Sequence, residues 1–311
     1  MTNGKGQSKS LAALTLSMIL FGTIGICRRL IPLPSDVVAC GRGIMGGSFL
    51  LLFMKARGQK ISLGQIRLRQ FLLLVLSGAL MGLNWILLFE AYNYTTVAVA
   101  TLCYYMAPVI VILLSPVILK ETLDGRQIFC VAASMTGMVL VSGVAGGTAP
   151  GSPRGVVLGL GAAVLYASVV MLNKLITGIP AFGKTIVQLF SAAVTMLPYL
   201  AVSGSLHAYE LPVSGTVLFL VVGIVHTGVA YVMYFASIEH LPARTCALMS
   251  YIDPVTAVIL SALFLKEPMG VPEIAGTVMI IGSAVYCEGS PRNERLNRKR
   301  TGYGKNGHER K

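Results

Sequence analysis

Asp253 places a carboxylate midway along an apolar run, directly before Pro254. A lone carboxylate at membrane depth is expensive, so it must pair, take up a proton or meet a polar solute. Asp253 is therefore a candidate for substrate binding and for proton coupling, and a structural pairing with Arg42 is the alternative. Arg42 stands near the start of another apolar run. It is a second coupling candidate, although so long a side chain can also reach the interface. His226 is a third: an imidazole there can shuttle protons or simply pack as a hydrogen-bonded ring.

A set of polar aromatics accompanies these charges: Trp85, Tyr104, Tyr105, Tyr166, Tyr231 and Tyr251, with Asn84 nearby in sequence. A tyrosine hydroxyl inside a membrane needs a partner, which favours a cavity wall over lipid for residues well inside their spans. Interfacial aromatic belts are the competing explanation. Such a lining suits an amphipathic organic solute, and its π faces could hold an ammonium group. Pro108 and Pro254 each remove a backbone donor and free carbonyls that must be satisfied by protein or by a wet cavity. They are pathway candidates, against the alternative of a packing kink. Glu90 is expected as a solvated end residue, and Glu121 and Glu267 as structural charges closing helices beside a lysine.

The elements that position these residues follow from composition. The chain has 311 residues, 55% hydrophobic and 12% charged, with mean hydropathy +0.75. That leaves too little polar surface to cover a soluble globule, and the bilayer is its solvent. Apolar stretches of about 20 residues, the length that crosses a hydrocarbon core as helix, lie near 11–30, 36–54, 70–90, 97–119, 127–145, 155–176, 184–203, 215–237, 245–265 and 271–288. The first resembles a signal peptide, but it runs into Arg28 and Arg29 without a small-residue cleavage pattern and reads as a retained span. Cys27, Cys40, Cys103, Cys130, Cys246 and Cys287 are scattered through apolar runs. They predict buried thiols and neither a zinc site nor a disulfide framework. No phosphate-cradling glycine loop is present, so no cofactor is expected, and any transport must run on a gradient or on exchange.

The stretch Ala98 to Glu121 is written twice. Moved by 146 residues it meets Arg244 to Glu267 without a gap, aligning Leu102, Tyr105, Pro108, Ser115, Lys120 and Glu121 with Leu248, Tyr251, Pro254, Ser261, Lys266 and Glu267. Gly82 and Phe89 meet Gly228 and Phe235 at the same offset. This is an internal duplication. Of the 25 Lys and Arg, 20 fall on one side of a ten-span arrangement and 4 on the other, which places both termini in the cytoplasm by the positive-inside rule. Five spans per copy make the halves inverted, a plan shared by many secondary transporters with a site near the midplane. The expected organisation is a first repeat over 1–145, a linker over 146–154 rich in Gly, Pro and Ser, a second repeat over 155–288 and a basic tail over 289–311. The tail is expected to meet anionic membrane lipids and not nucleic acid.

Ten spans in two copies, with Pro108 before Lys120-Glu121 and Pro254 before Lys266-Glu267, resemble the EamA family of the drug/metabolite transporter superfamily, over roughly residues 11–288. The resemblance implies an all-α integral membrane protein with ten transmembrane helices as two inverted five-helix repeats. It further implies a secondary transporter of the cytoplasmic membrane for a small organic molecule, with export of amino acids or related metabolites as the leading expectation and uptake as the alternative. A membrane-embedded enzyme or lipid-handling protein is a remote third, because the candidate reactive groups are dispersed. The family's small multidrug-resistance relatives use a glutamate in their first helix. Residues 11–27 hold no acid, so that proton-coupled mechanism does not carry over. The glycine pairs Gly43/Gly47, Gly78/Gly82 and Gly155/Gly159 each share a helix face and predict close helix packing, either within the bundle or in a homodimer.

Overall fold

The computed structural model describes residues 3–58, 67–118, 125–141, 152–205, 207–238, 241, 249–267 and 269–288. Lys120, Glu121, Arg244, Cys246 and Leu248, residues 146–151 of the linker and the basic tail lie outside them. Among the described residues the architecture is all helix: α1 Asn3–Leu30, α2 Ser35–Ala56, α3 Leu68–Tyr94, α4 Val97–Tyr104, α5 Ala107–Ile118, α6 Gly125–Val141, α7 Pro153–Leu175 and α8 Ala181–Val202. Then α9 Val213–Leu220 runs through a π-helical stretch, Val221–Val229, into α10 Ala230–Ile238, and α11 Ile252–Phe264 and α12 Val271–Glu288 follow.

Seven segments are long and apolar enough to cross a membrane, with α4 and α5 counted as one segment and α9 through α10 as another. Shorter apolar helices stand where the expected fifth, ninth and tenth spans lie: Gly125–Val141, Ile252–Phe264 and Val271–Ser283. The chain is a multi-span helical membrane protein. Backbone groups in hydrocarbon have no water to bond, and helix satisfies them within each segment.

The offset of 146 reaches the helix boundaries. Moved by that amount, α2 coincides with α8 at both ends, and α6 begins where α12 begins. Pro34 precedes α2 and Pro180 precedes α8, each with extended backbone torsions at the N-cap. A proline there ends the preceding turn at little expense, because the first helical N–H groups need no intrahelical partner.

Helix packing repeats the same correspondence. α3 packs along α7 and α8, while α1 packs along α10 and α2 along the π-helical stretch; α2 meets α8, and α6 meets α12. Small residues permit these approaches. A Cβ at Gly78 would lie 2.6 Å from the Gln188 carbonyl oxygen, and one at Gly159 2.7 Å from Cys103 Cβ. The glycine pairs therefore serve contacts inside this chain. Cys27, Cys40, Cys103 and Cys130 are free thiols.

The fourth span departs from a simply kinked helix. α4 ends at Tyr104 and α5 begins at Ala107, so the chain breaks at Tyr105 and Met106. Pro108 and Pro254 sit in the first turns of α5 and α11. Proline is tolerated there because its missing N–H would have been unpaired anyway.

Candidate functional site

Helices α1, α2, α3, α4, α5, α7, α8, α10 and α11 surround an internal cavity of about 540 Å³. Among the described residues, α6 and α12 contribute nothing to its lining. Gly22 brings α1 against the first turn of α11, where a Cβ would lie 2.6 Å from the Asp253 carbonyl oxygen.

On one wall the Tyr105 hydroxyl donates to Asp253 Oδ2 at 2.5 Å. The break before α5 turns Tyr105 toward the first turn of α11, and the bond ties the two halves together. Tyr104 stands edge-on to Tyr105 with ring centres 5.8 Å apart and packs on Tyr166 at 5.2 Å. Phe21 meets Tyr231 edge-to-face at 5.4 Å. Edge-on pairing of this kind suits the quadrupoles of the rings.

On another wall is Arg42, 5% exposed. Its guanidinium carbon lies 4.1 Å from the Trp85 ring centre and 5.5 Å from that of Phe89, and its Nε donates to Thr227 Oγ1 at 3.1 Å. The π-helical stretch presents Thr227, whose hydroxyl also donates to the Val222 carbonyl. Arg42 neither pairs with Asp253 nor snorkels to the interface. Stacking on the aromatic wall holds its head inside.

Gln188 occupies the position 146 residues after Arg42 and also lines the cavity. Its amide donates to Ser77 Oγ at 2.7 Å and to Asn173 Oδ1 at 2.9 Å. Nearby Lys184 donates to the carbonyls of Asn173 and Ile176 at the end of α7. Gln188 and Lys184 were not singled out from sequence, although the repeat offset from Arg42 points to Gln188 directly.

The lining extends from Tyr92 and Thr101 at one end to Ala181 and Lys184 at the other. The turn before α8 lies beside the start of α3, where Gln70 Nε2 donates to the Thr177 carbonyl at 3.2 Å. The far end of α3 is tied off. Arg29 donates to the Tyr92 carbonyl at 2.6 Å and to the Thr95 carbonyl at 3.1 Å, and pairs with Glu267 at 3.4 Å. Glu267 accepts from the Val97 backbone N–H at 2.9 Å and from the Ser261 hydroxyl. Its partner is thus Arg29 and not the adjacent Lys266, whose left-handed backbone (φ 52) turns Glu267 back over the end of α11. Glu90, expected in solvent, accepts from Ser35 at 2.9 Å and Asn93 at 3.1 Å.

Of the residues chosen from sequence, Arg42, Trp85, Tyr104, Tyr105, Pro108, Tyr166, Tyr231, Tyr251 and Asp253 line the cavity. Asn84, Pro254 and His226 do not. Asn84 is fully buried and donates to the Ala162 carbonyl between α3 and α7 at 2.5 Å. Pro254 is buried against the bundle. His226 Nε2 lies 2.7 Å from Thr23 Oγ1 and Nδ1 3.2 Å from the Val221 carbonyl, which fastens the π-helical stretch to α1.

Several known proteins of similar sequence are transporters by name. An uncharacterized transporter of Bacillus subtilis (strain 168), YxxF, is 26% identical over 282 residues, covering 89% of this chain and 89% of the relative. Protein PecM of Dickeya dadantii (strain 3937) is 28% identical over 221 residues, covering 70% of this chain and 73% of PecM. A solved structure described only as "Crystal structure of protein" superposes with a TM-score of 0.63 at 18% identity, covering 89% of this chain and 96% of the other, and shares the fold. The family model described as the EamA-like transporter family matches twice, over residues 8–143 and 153–287. With two such matches spanning most of its length, around a walled cavity, the chain belongs to the EamA-like transporter family.

Proposed function

We propose that this membrane transporter of small solutes is a secondary carrier that works by alternating access and exports a small organic metabolite of the amino-acid class across the cytoplasmic membrane. The observation that carries this reading is the cavity itself. It is roomy enough for a small metabolite at about 540 Å³, and it runs from Lys184 at one end to a tie of Arg29 and Glu267 beyond the other. Drug-sized and metabolite-sized sites occupy volumes of this order, with apolar walls and few convergent polar groups.

With both termini in the cytoplasm, the Arg29–Glu267 end faces outward and the Lys184 end faces the cytoplasm. The conformation is then closed outside and ready to load from within. The matched helix boundaries favour two inverted halves that rock about the cavity. Asp253, on the aromatic wall, provides the coupling carboxylate: it meets either a proton or the ammonium of the solute, and Tyr105 holds it in place.

The test is counterflow in liposomes preloaded in turn with pools of amino acids, nucleosides, sugars and organic cations, with labelled tracer outside. Accumulation with an amino-acid pool supports the reading. Exchange with another pool alone replaces the substrate class, and no exchange by folded protein with any pool rejects a carrier of these solutes.

A further inference from the structure

Among the described residues, Arg42 is a buried cation without a carboxylate partner. The ion pair there is Arg29 with Glu267, at the closed end. The one hydrogen bond of Arg42 uses Nε, leaving both terminal nitrogens unbonded within the described structure at the cavity wall. Burying an unpaired guanidinium is costly, and proteins retain such a group where something else supplies the opposite charge.

The repeat provides an internal control. Gln188, at the matching position in the other half, is neutral and bonded to Ser77 and Asn173. The fold at this position thus accepts an amide that satisfies itself. Arg42 instead carries a charge with donors to spare, oriented by Trp85 on its face and by Thr227 on its edge. A guanidinium fixed through Nε and one face presents its remaining fork to a planar anion.

We propose that Arg42 binds a carboxylate group of the transported solute; this rests on the reading that the solute occupies this cavity. One guanidinium cancels one negative charge. Lys184, the other cation in the lining, directs two of its donors at the carbonyls of Asn173 and Ile176 at the end of α7, and Asp253 adds a carboxylate to the same lining that a second negative charge would meet. A monoanionic carboxylate on an apolar or aromatic body therefore fits better than a doubly charged phosphate.

Trp85, the single tryptophan of the chain, lies under the Arg42 guanidinium and reports on it directly. Purified full-length protein in detergent is titrated with phenylacetate, with neutral phenylacetamide and with cationic 2-phenylethylamine while Trp85 fluorescence is followed. The expected result is a saturable change with phenylacetate at a concentration at least about tenfold lower than with the amide, a difference of ~1.4 kcal/mol. Arg42→Gln should abolish that preference, and Arg42→Lys should retain part of it.

Equal half-saturation by acid and amide in the unsubstituted protein, no response to phenylacetate, or an unchanged preference in Arg42→Gln overturns the proposal. Should Arg42→Gln not fold, the comparison of acid with amide in the unsubstituted protein and Arg42→Lys decides. Failure of transport is separable. Absent counterflow with an intact carboxylate response removes the carrier reading and keeps the anion site; counterflow of a solute lacking an acid group, unaltered by Arg42→Gln, does the reverse.

Discussion

Glu267 Oε2 accepts from the backbone N–H of Val97 at 2.9 Å, joining the chain just past the end of α11 in one repeat to the start of α4 in the other. The bond caps α4 with a carboxylate, where the partial positive charge of a helix N-terminus favours an anion. The same side chain meets Arg29 and Ser261. One residue thus closes an end of the cavity from three directions.

Glu267→Ala leaves these donors without their acceptor and is expected to lower stability by about 1–3 kcal/mol, the usual result of orphaning buried hydrogen-bonding groups. Glu267→Gln keeps one acceptor and should lose less. Thermal unfolding of the detergent-solubilised protein measures both, and equal melting temperatures for all three proteins would contradict the role.

Asp253→Asn preserves shape but removes the charge that Tyr105 bonds. Transport is expected to fall at least about tenfold, within the range usual for removing a group that handles protons or charge, and its dependence on pH should flatten. Full activity with the same pH profile would exclude Asp253 from coupling. Tyr105→Phe should produce a milder loss of the same kind.

Tyr105→Cys and Tyr251→Cys place thiols at matched positions in the cavity wall. Both should react with a water-soluble thiol reagent added from the cytoplasmic side, and a transported solute should slow the reaction. Protection in every transport state would show that the two positions do not share a solute path.

Gly78→Leu drives a side chain into the α8 backbone, since even a Cβ would lie 2.6 Å from the Gln188 carbonyl. Overpacking of this kind costs about 1–3 kcal/mol or more. A large loss of folded protein is expected by size-exclusion profile, while Gly282→Ala, with nothing within 4 Å of the new Cβ, should behave as the unsubstituted chain.

Much of this architecture is legible in the order of the residues. Hydropathy located the spans because bilayer thickness fixes helix length, and the doubled proline stretch located the centre, with Tyr105, Tyr251 and Asp253 on the cavity wall. What escaped was whatever depends on a local departure from regular helix. Nothing in the order of residues 221–229 announces π-helical winding, and that winding sets Thr227 against Arg42 and His226 against Thr23. Charge alone therefore pairs Arg42 with Asp253. Glu267 was matched with its neighbour Lys266 for the same reason, because the left-handed turn at Lys266 leaves no trace in composition. Proximity along the chain puts Asn84 beside Trp85, and the freed carbonyls of a proline put Pro254 at a wet cavity, yet a helix turns successive residues to different faces and a proline in a first turn leaves no donor missing.

The pairing of Arg42 with Gln188, and of Asp253 with Ala107, means that the duplicated frame is filled by unlike chemistry. A cation, an anion and a band of rings stand on different walls of one cavity. Three unlike groups can each meet a different substituent of one stereocentre, and the opposite configuration cannot satisfy all three at once. The transporter should therefore select between enantiomers.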